Sequence, residues 1–186
     1  MADAPAVEEL RAVLAAYKMV KDASWPDLHP AMVKASARWA HAGEPELKKE
    51  LQGYVEETNR PGCDVRVFWK TGPDFKFTGC NTLFVKDAGM KSSAELIGLD
   101  DFSDKVPWKA QAAKYRFDDK EVADSGKPNL DILERQSSAS GTVWVLVGKA
   151  PIRVGNKSIG ILGMYQILDQ AAANKILAKR RAEGRS

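Results

Sequence analysis

The spacing of hydrophobic positions changes along the chain. Between residues 6 and 57 apolar side chains recur every three or four positions. Val7, Leu10, Leu14 and Tyr17 form one stripe in AVEELRAVLAAYKMVKDA, as one face of a helix requires. Ser24 and Pro26 interrupt that stripe. The pattern predicts a second helix from Pro30, with Met32, Ala35, Ser36 and Trp39 on one side, ending at Gly43. A third follows Pro45 and carries Leu47, Leu51, Tyr54 and Val55. NRPG at 59–62 punctuates a boundary.

From Cys63 the texture is different. DVRVFWK alternates as a strand does, with Val65, Val67 and Trp69 on one side. Two short helical pieces follow, near 81–88 and 92–97, closed by Gly89 and Gly98. A longer helix fits 107–114 and one further turn. NLDILERQ, TVWVLVGKAPI and KSIGILGMYQIL then read as three strands. Strand, helices and a strand meander indicate an α+β domain with an antiparallel sheet. QAAANKILAKRRAEG returns to helix-forming residues.

The strands lack a wet face. In TVWVLV, Val143, Val145 and Val147 oppose Trp144 and Leu146. In GILGMYQIL, Ile161, Tyr165 and Ile167 oppose Leu162, Met164 and Leu168. An antiparallel sheet with one solvated side alternates apolar with polar residues. The back of this sheet therefore needs a cover, and both the N-terminal helices and a second subunit are expected to supply it, with the first helix's stripe at the dimer contact.

Composition narrows the class. The chain has 186 residues and is 44% hydrophobic, enough for one full-sized core. No apolar run reaches the roughly 20 residues that span a bilayer, so no membrane insertion is expected. The acidic start MADAPAVEEL differs from a basic secretory leader, which points to the cytoplasm. The net charge is +3, and residues 170–186 hold five basic side chains against Glu183 alone. Basicity thus belongs to the tail, and nucleic acid is not expected as a partner. Cys63 and Cys80 are too few for a disulfide framework and lack metal-ligand spacing.

Several blocks in a fixed order carry a family resemblance: CNTLFVKDAGM, SSAELIGLDDFSDKVPW, YRFDDKEVADSGKPNLDILE, VGKAPIR and GILGMYQILD. Over residues 65–169 they resemble a PAS domain, of the kind that precedes diguanylate cyclase or histidine kinase output domains in bacteria. Asn81 opens the first short helix as in the family, Gly89 ends it, and ELIGLDDFS and DDKEVADSGKP resemble two family turns. Asp169 stands where a family acid closes the last strand, although Ala171 replaces the threonine usual two positions on.

The resemblance implies a PAS fold: a five-stranded antiparallel sheet with helices on one face and a small-molecule pocket between them. It also implies homodimerisation and signal transmission to an output domain or partner. The chain then divides into an N-terminal helical segment (1–60), a PAS sensor domain (63–169) and a C-terminal linker helix with a basic tail (170–186).

Candidate residues can be weighed in that frame. Trp108, Ala112 and Tyr115 fall on one face of the longer helix. They are either its core stripe or, with Phe84, Trp144, Leu146, Leu162 and Met164, the lining of a ligand pocket. Asn81 suits a structural N-cap. Cys80 is either a small buried hydrophobe or a reactive thiol, and the adduct motif of flavin-binding PAS domains is absent around it. The longer helix has no histidine for a haem. His29 and His41 both lie in the N-terminal segment, so neither haem nor flavin is expected and a small organic ligand is.

Glu134 points either to a ligand or to a cross-strand partner. Asp118 and Asp119 suit a helix cap or a solvated turn. No nucleophile–base set, phosphate loop or zinc spacing occurs, so the domain is not expected to be an enzyme. The expected function is sensory. The alternative is a ligand-free dimerisation or scaffold module.

Overall fold

A computed structural model describes residues 44–154 and 157–185. The first two predicted helices, the dimer contact assigned to the first of them, and both histidines lie outside the described residues. The third predicted helix is present as α1 (Glu44–Thr58). Strands β1 (Val65–Thr71) and β2 (Lys76–Cys80) follow, then the short helices α2 (Thr82–Asp87) and α3 (Ser93–Leu96). After a 3₁₀ turn at Lys109–Gln111 comes α4 (Ala112–Ser125). Strands β3 (Asn129–Ser138), β4 (Gly141–Val154) and β5 (Lys157–Leu168) lead to α5 (Gln170–Ala182).

The five strands form one antiparallel sheet in the order β2-β1-β5-β4-β3. The α+β class and the five-stranded sheet agree with expectation. β2 was not legible as a strand, because KFTGC is short and two of its five residues are exposed. The central β1–β5 contact is close. A Cβ on Gly163 would lie 2.2 Å from the Phe68 ring, and one on Gly160 would lie 1.9 Å from the Lys70 carbonyl oxygen.

α4 starts later and runs further than predicted, to Ser125, where Gly126 ends it with φ of 66°. Its buried positions are Ala112, Tyr115, Asp119 and Val122, a three-and-four spacing with a carboxylate in an apolar slot. That carboxylate hid the stripe.

Each face of the sheet has its own core. On one side Leu51 and Tyr54 of α1 pack on Val65, Val67, Trp69, Leu146, Leu162 and Met164, with Ile176 of α5 beside them. The back of the sheet is therefore covered within the chain. On the other side α2, α3 and α4 cover Phe68, Phe77, Val145, Val147, Ile161 and Tyr165. α5 does not run outward. Its Ala173 is fully buried, and Arg180 donates to the carbonyl and carboxylate oxygens of Asp131 in β3, each at 2.8 Å.

Candidate functional site

The face under α2, α3 and α4 holds a small, partly open cavity of about 20 Å³, room for about one water. Aromatic side chains form much of its wall. Phe84 stacks on Phe68 at 4.8 Å between ring centroids and lies 5.2 Å from Trp108. Phe77, Tyr115 and Tyr165 continue the wall.

Lys70, Asp101, Glu134 and Lys149 add charges to the lining, and Asp119 joins them without lining the cavity; Lys70, Lys149 and Asp119 occupy positions where alternation or helical spacing calls for apolar residues. Lys70 shares a face of β1 with Phe68, and Lys149 shares a face of β4 with Val145 and Val147. Asp119 interrupts the apolar stripe of α4. The Asp119 carboxylate accepts from Lys70 Nζ and Lys149 Nζ, both at 2.6 Å. Lys70 also donates to Asp101 Oδ2 at 2.5 Å, and the Asp101 carboxylate accepts from Trp108 Nε1 at 2.9 Å. All four charged side chains are at most 3% exposed. Two ammonium groups meet two carboxylates, so this cluster is neutral.

Burial opposes the charged form of Lys70, but the attraction of Asp119 and Asp101 outweighs it and raises the ammonium above its ordinary range. Burial likewise opposes ionisation of Asp119, and Lys70 and Lys149 together hold its carboxyl below the usual range. Removing one member leaves its partner charged and out of water.

Two further polar groups face the cavity. Glu134 is 8% exposed and accepts from Lys114 Nζ at 2.5 Å. Lys114 is half exposed and also reaches Asp118 at 2.6 Å. Burial pushes the Glu134 carboxyl upward despite Lys114. Tyr115 is 6% exposed, and its hydroxyl is buried with no hydrogen-bond partner. Burial, with Glu134 and Asp101 nearby, keeps that hydroxyl protonated far above the ordinary tyrosine range. A buried donor without an acceptor is costly, and a bound molecule is one way to satisfy it.

A second network fastens the helices to the sheet. Tyr165 donates its hydroxyl to Asp87 Oδ2 at 2.7 Å and accepts from Gln136 Nε2 at 3.1 Å, while Arg66 Nε donates to Asp87 at 2.8 Å. Asn81 works beside it. Its Oδ1 accepts from the backbone of Phe84 and of Val67, and its Nδ2 donates to the Val65 carbonyl at 2.8 Å. The side chain thus caps α2 and continues the hydrogen bonding of β1 where β2 ends.

Of the pocket residues read from sequence, Phe84, Trp108 and Tyr115 line this cavity. Ala112 is buried on the same helix face without lining it. Leu146, Leu162 and Met164 lie on the opposite side of the sheet, under α1. Trp144 shares their parity, and its indole donates to Gln170 at 3.0 Å. Both faces of β4 and β5 are apolar, so parity separated the faces without saying which one holds the cavity.

Asp119 is not in a solvated turn but at the centre of the ion cluster, and Glu134 pairs with α4 instead of across the sheet. Lys70, Asp101 and Lys149 were missed. Lysines inside apolar alternations were the available signal. Cys80 is 5% exposed among Phe68, Phe77 and Phe84, and burial pushes its thiol up to about 12, as suits a space-filling residue.

Among the described residues no cluster of potential metal ligands occurs, and no helix is long and apolar enough to cross a membrane. No family model and no curated protein sequence matches the chain. Solved structures do. A phage VqmA–DPO complex is similar at a TM-score of 0.55 and 19% identity, over 76% of this chain and 61% of that one. The Rhodobacter sphaeroides LOV protein is similar at 0.53 and 15%, over 76% and 78%. The Vibrio cholerae VqmA dimer, described in the absence of its target DNA, is similar at 0.50 and 23%, over 56% and 47%.

This chain thus matches only about half the length of that VqmA. The expectation that excludes nucleic acid as a partner does not stand, because the fold occurs in a receptor that has target DNA. The charge of one PAS-like domain does not decide what the protein around it contacts. With LOV domains, a PAS subfamily, among its structural neighbours, the chain has a PAS-like fold.

Proposed function

We propose that this chain is a ligand-sensing PAS-like domain. It takes a small organic molecule into the cavity between α4 and the sheet and passes occupancy to a partner or output domain. The buried, partnerless hydroxyl of Tyr115, set among aromatic walls and paired charges, carries this reading. Apolar side chains of similar volume often serve stability as well as a buried ion cluster does, so stability alone gives little reason for four charges here.

The cavity as it stands holds about one water, whereas pockets for organic ligands measure roughly several hundred Å³. Occupancy therefore requires α4 or its side chains to move, and that movement is the signal. A ligand that prefers the opened packing shifts the population toward it. β3, which receives Arg180 of α5, and the neighbouring strands would carry the shift to the chain ends. The domain acts as a sensor and not as an enzyme, within a bacterial signalling protein that dimerises.

Native mass spectrometry of freshly purified protein tests this. A non-covalent small mass is expected, and it should be lost in Val147→Phe, which fills the cavity from β4 while circular dichroism stays unchanged. The small volume favours a second reading, a scaffold with a filled interior. Protein that is empty after native purification and unmoved by small-molecule panels in thermal shift would establish that reading and overturn the first.

A further inference from the structure

The charges around the cavity are not equally committed. Lys70, Asp101, Asp119 and Lys149 pair with one another entirely inside the protein. Glu134 differs. Its carboxylate is buried and lines the cavity, yet the cation it holds, Lys114, is half exposed and reaches it from the solvent side. Lys114 also has a second carboxylate, Asp118, four residues along the same helix at 2.6 Å. Lys114 can therefore leave Glu134 without losing its own counter-charge. Glu134 cannot lose Lys114 without losing its hydrogen-bonded cation, which leaves a buried carboxylate with only the more distant attraction of Lys149.

We propose that the ligand carries a protonated amine that replaces Lys114 on Glu134, on a small flat ring with a hydrogen-bond acceptor for the Tyr115 hydroxyl. This assignment rests on the receptor reading above and adds the ligand's chemical class. Exchange of one cation for another leaves the charge beside Glu134 unchanged, which a neutral ligand displacing Lys114 does not. A carboxylate ligand would add an anion to a site whose interior ammonium groups are already paired. The aromatic wall suits the rest of the molecule. Tilted and stacked rings accept a flat ring, and ring faces attract cations, as Lys70 does 5.0 Å from the Phe77 centroid. The same exchange would also transmit the signal. Lys114 belongs to α4 and Glu134 to β3, so ligand entry unties that helix from that strand at this point.

The test uses three isosteres on the full chain at pH 7.5 by isothermal titration calorimetry: 4-(aminomethyl)pyridine, 4-(hydroxymethyl)pyridine and pyridine-4-carboxylate. The amine is expected to bind at least about tenfold more tightly than either isostere, the scale of one hydrogen bond to a charged group. Glu134→Gln should abolish that preference. Lys114→Ala, which removes the competing cation and leaves Glu134 in place, should strengthen amine binding. Circular dichroism and the urea midpoint of each variant establish that it is folded.

Equal or tighter binding of the alcohol or the carboxylate overturns the amine assignment and leaves the receptor reading intact. Amine binding that persists in Glu134→Gln overturns it equally. If none of the three binds, the amine assignment falls, and the receptor reading stands or falls separately on the mass spectrometry above.

Discussion

Asp119→Asn is the sharpest probe of the buried charge cluster. The wild-type cluster is neutral, and asparagine keeps the shape of the side chain while removing one negative charge. Lys70 retains the Asp101 carboxylate at 2.5 Å, but Lys149 keeps only neutral acceptors, the new amide oxygen and the Tyr115 carbonyl at 3.5 Å. One ammonium is then buried without a counter-ion, a change that costs about 3–5 kcal/mol. Against a typical domain stability of about 5–15 kcal/mol this is large. With a urea m-value near 2 kcal/mol per molar, the midpoint should fall by about 1.5–2.5 M.

The assay is urea denaturation at pH 7, followed by circular dichroism, of the wild type, Asp119→Asn, Lys149→Met and the double variant. The double variant is neutral again, so it should be more stable than the sum of the two single losses predicts, by about 2 kcal/mol or more.

The pH dependence has a definite sign. Asp119 is held below its ordinary range, so its contribution is present above about pH 4 and is lost as pH falls through the folded value. Lys70 is held above its range, so its contribution is complete below about pH 10 and is lost as pH rises through the folded value. A variant within 1 kcal/mol of wild type, or additive losses in the double variant, would refute the argument that the cluster is held by paired, desolvated charges.

Two further outcomes follow from the same geometry. Asn81→Ala leaves the backbone N–H of Val67 and the carbonyl of Val65 without their side-chain partner beside the end of β2, and should cost about 2–4 kcal/mol, with amide exchange at Val67 accelerated before that of β4. Cys80 in the native protein should react with iodoacetamide at pH 8 roughly a thousandfold more slowly than a free thiol, because its pKa of about 12 leaves almost no thiolate; rapid alkylation without unfolding would contradict its placement.

What the sequence determined by itself is what local periodicity and local chemistry determine. Alternation located β1 and β3 and continuous apolar runs located β4 and β5, because a strand's two faces are written into successive residues. Glycine, proline and asparagine located α2, α3 and the cap at Asn81, because turn and cap conformations depend on single side chains. The apolar character of both faces of β4 and β5 required a cover on the back of the sheet, and α1 and α5 supply it.

Only the tertiary structure decided which face the cavity occupies. Leu146 and Val147 look alike along the chain, and the side on which α4 packs separates them. It also decided the meaning of Asp119. Read alone, a carboxylate on a helix is a solvated residue. It becomes the centre of the site only when β1 and β4 bring Lys70 and Lys149 to it across 49 and 30 positions of sequence. The energy of a buried charge depends on its neighbours in space and on the water they exclude, and neither is encoded within a few residues of the charge itself.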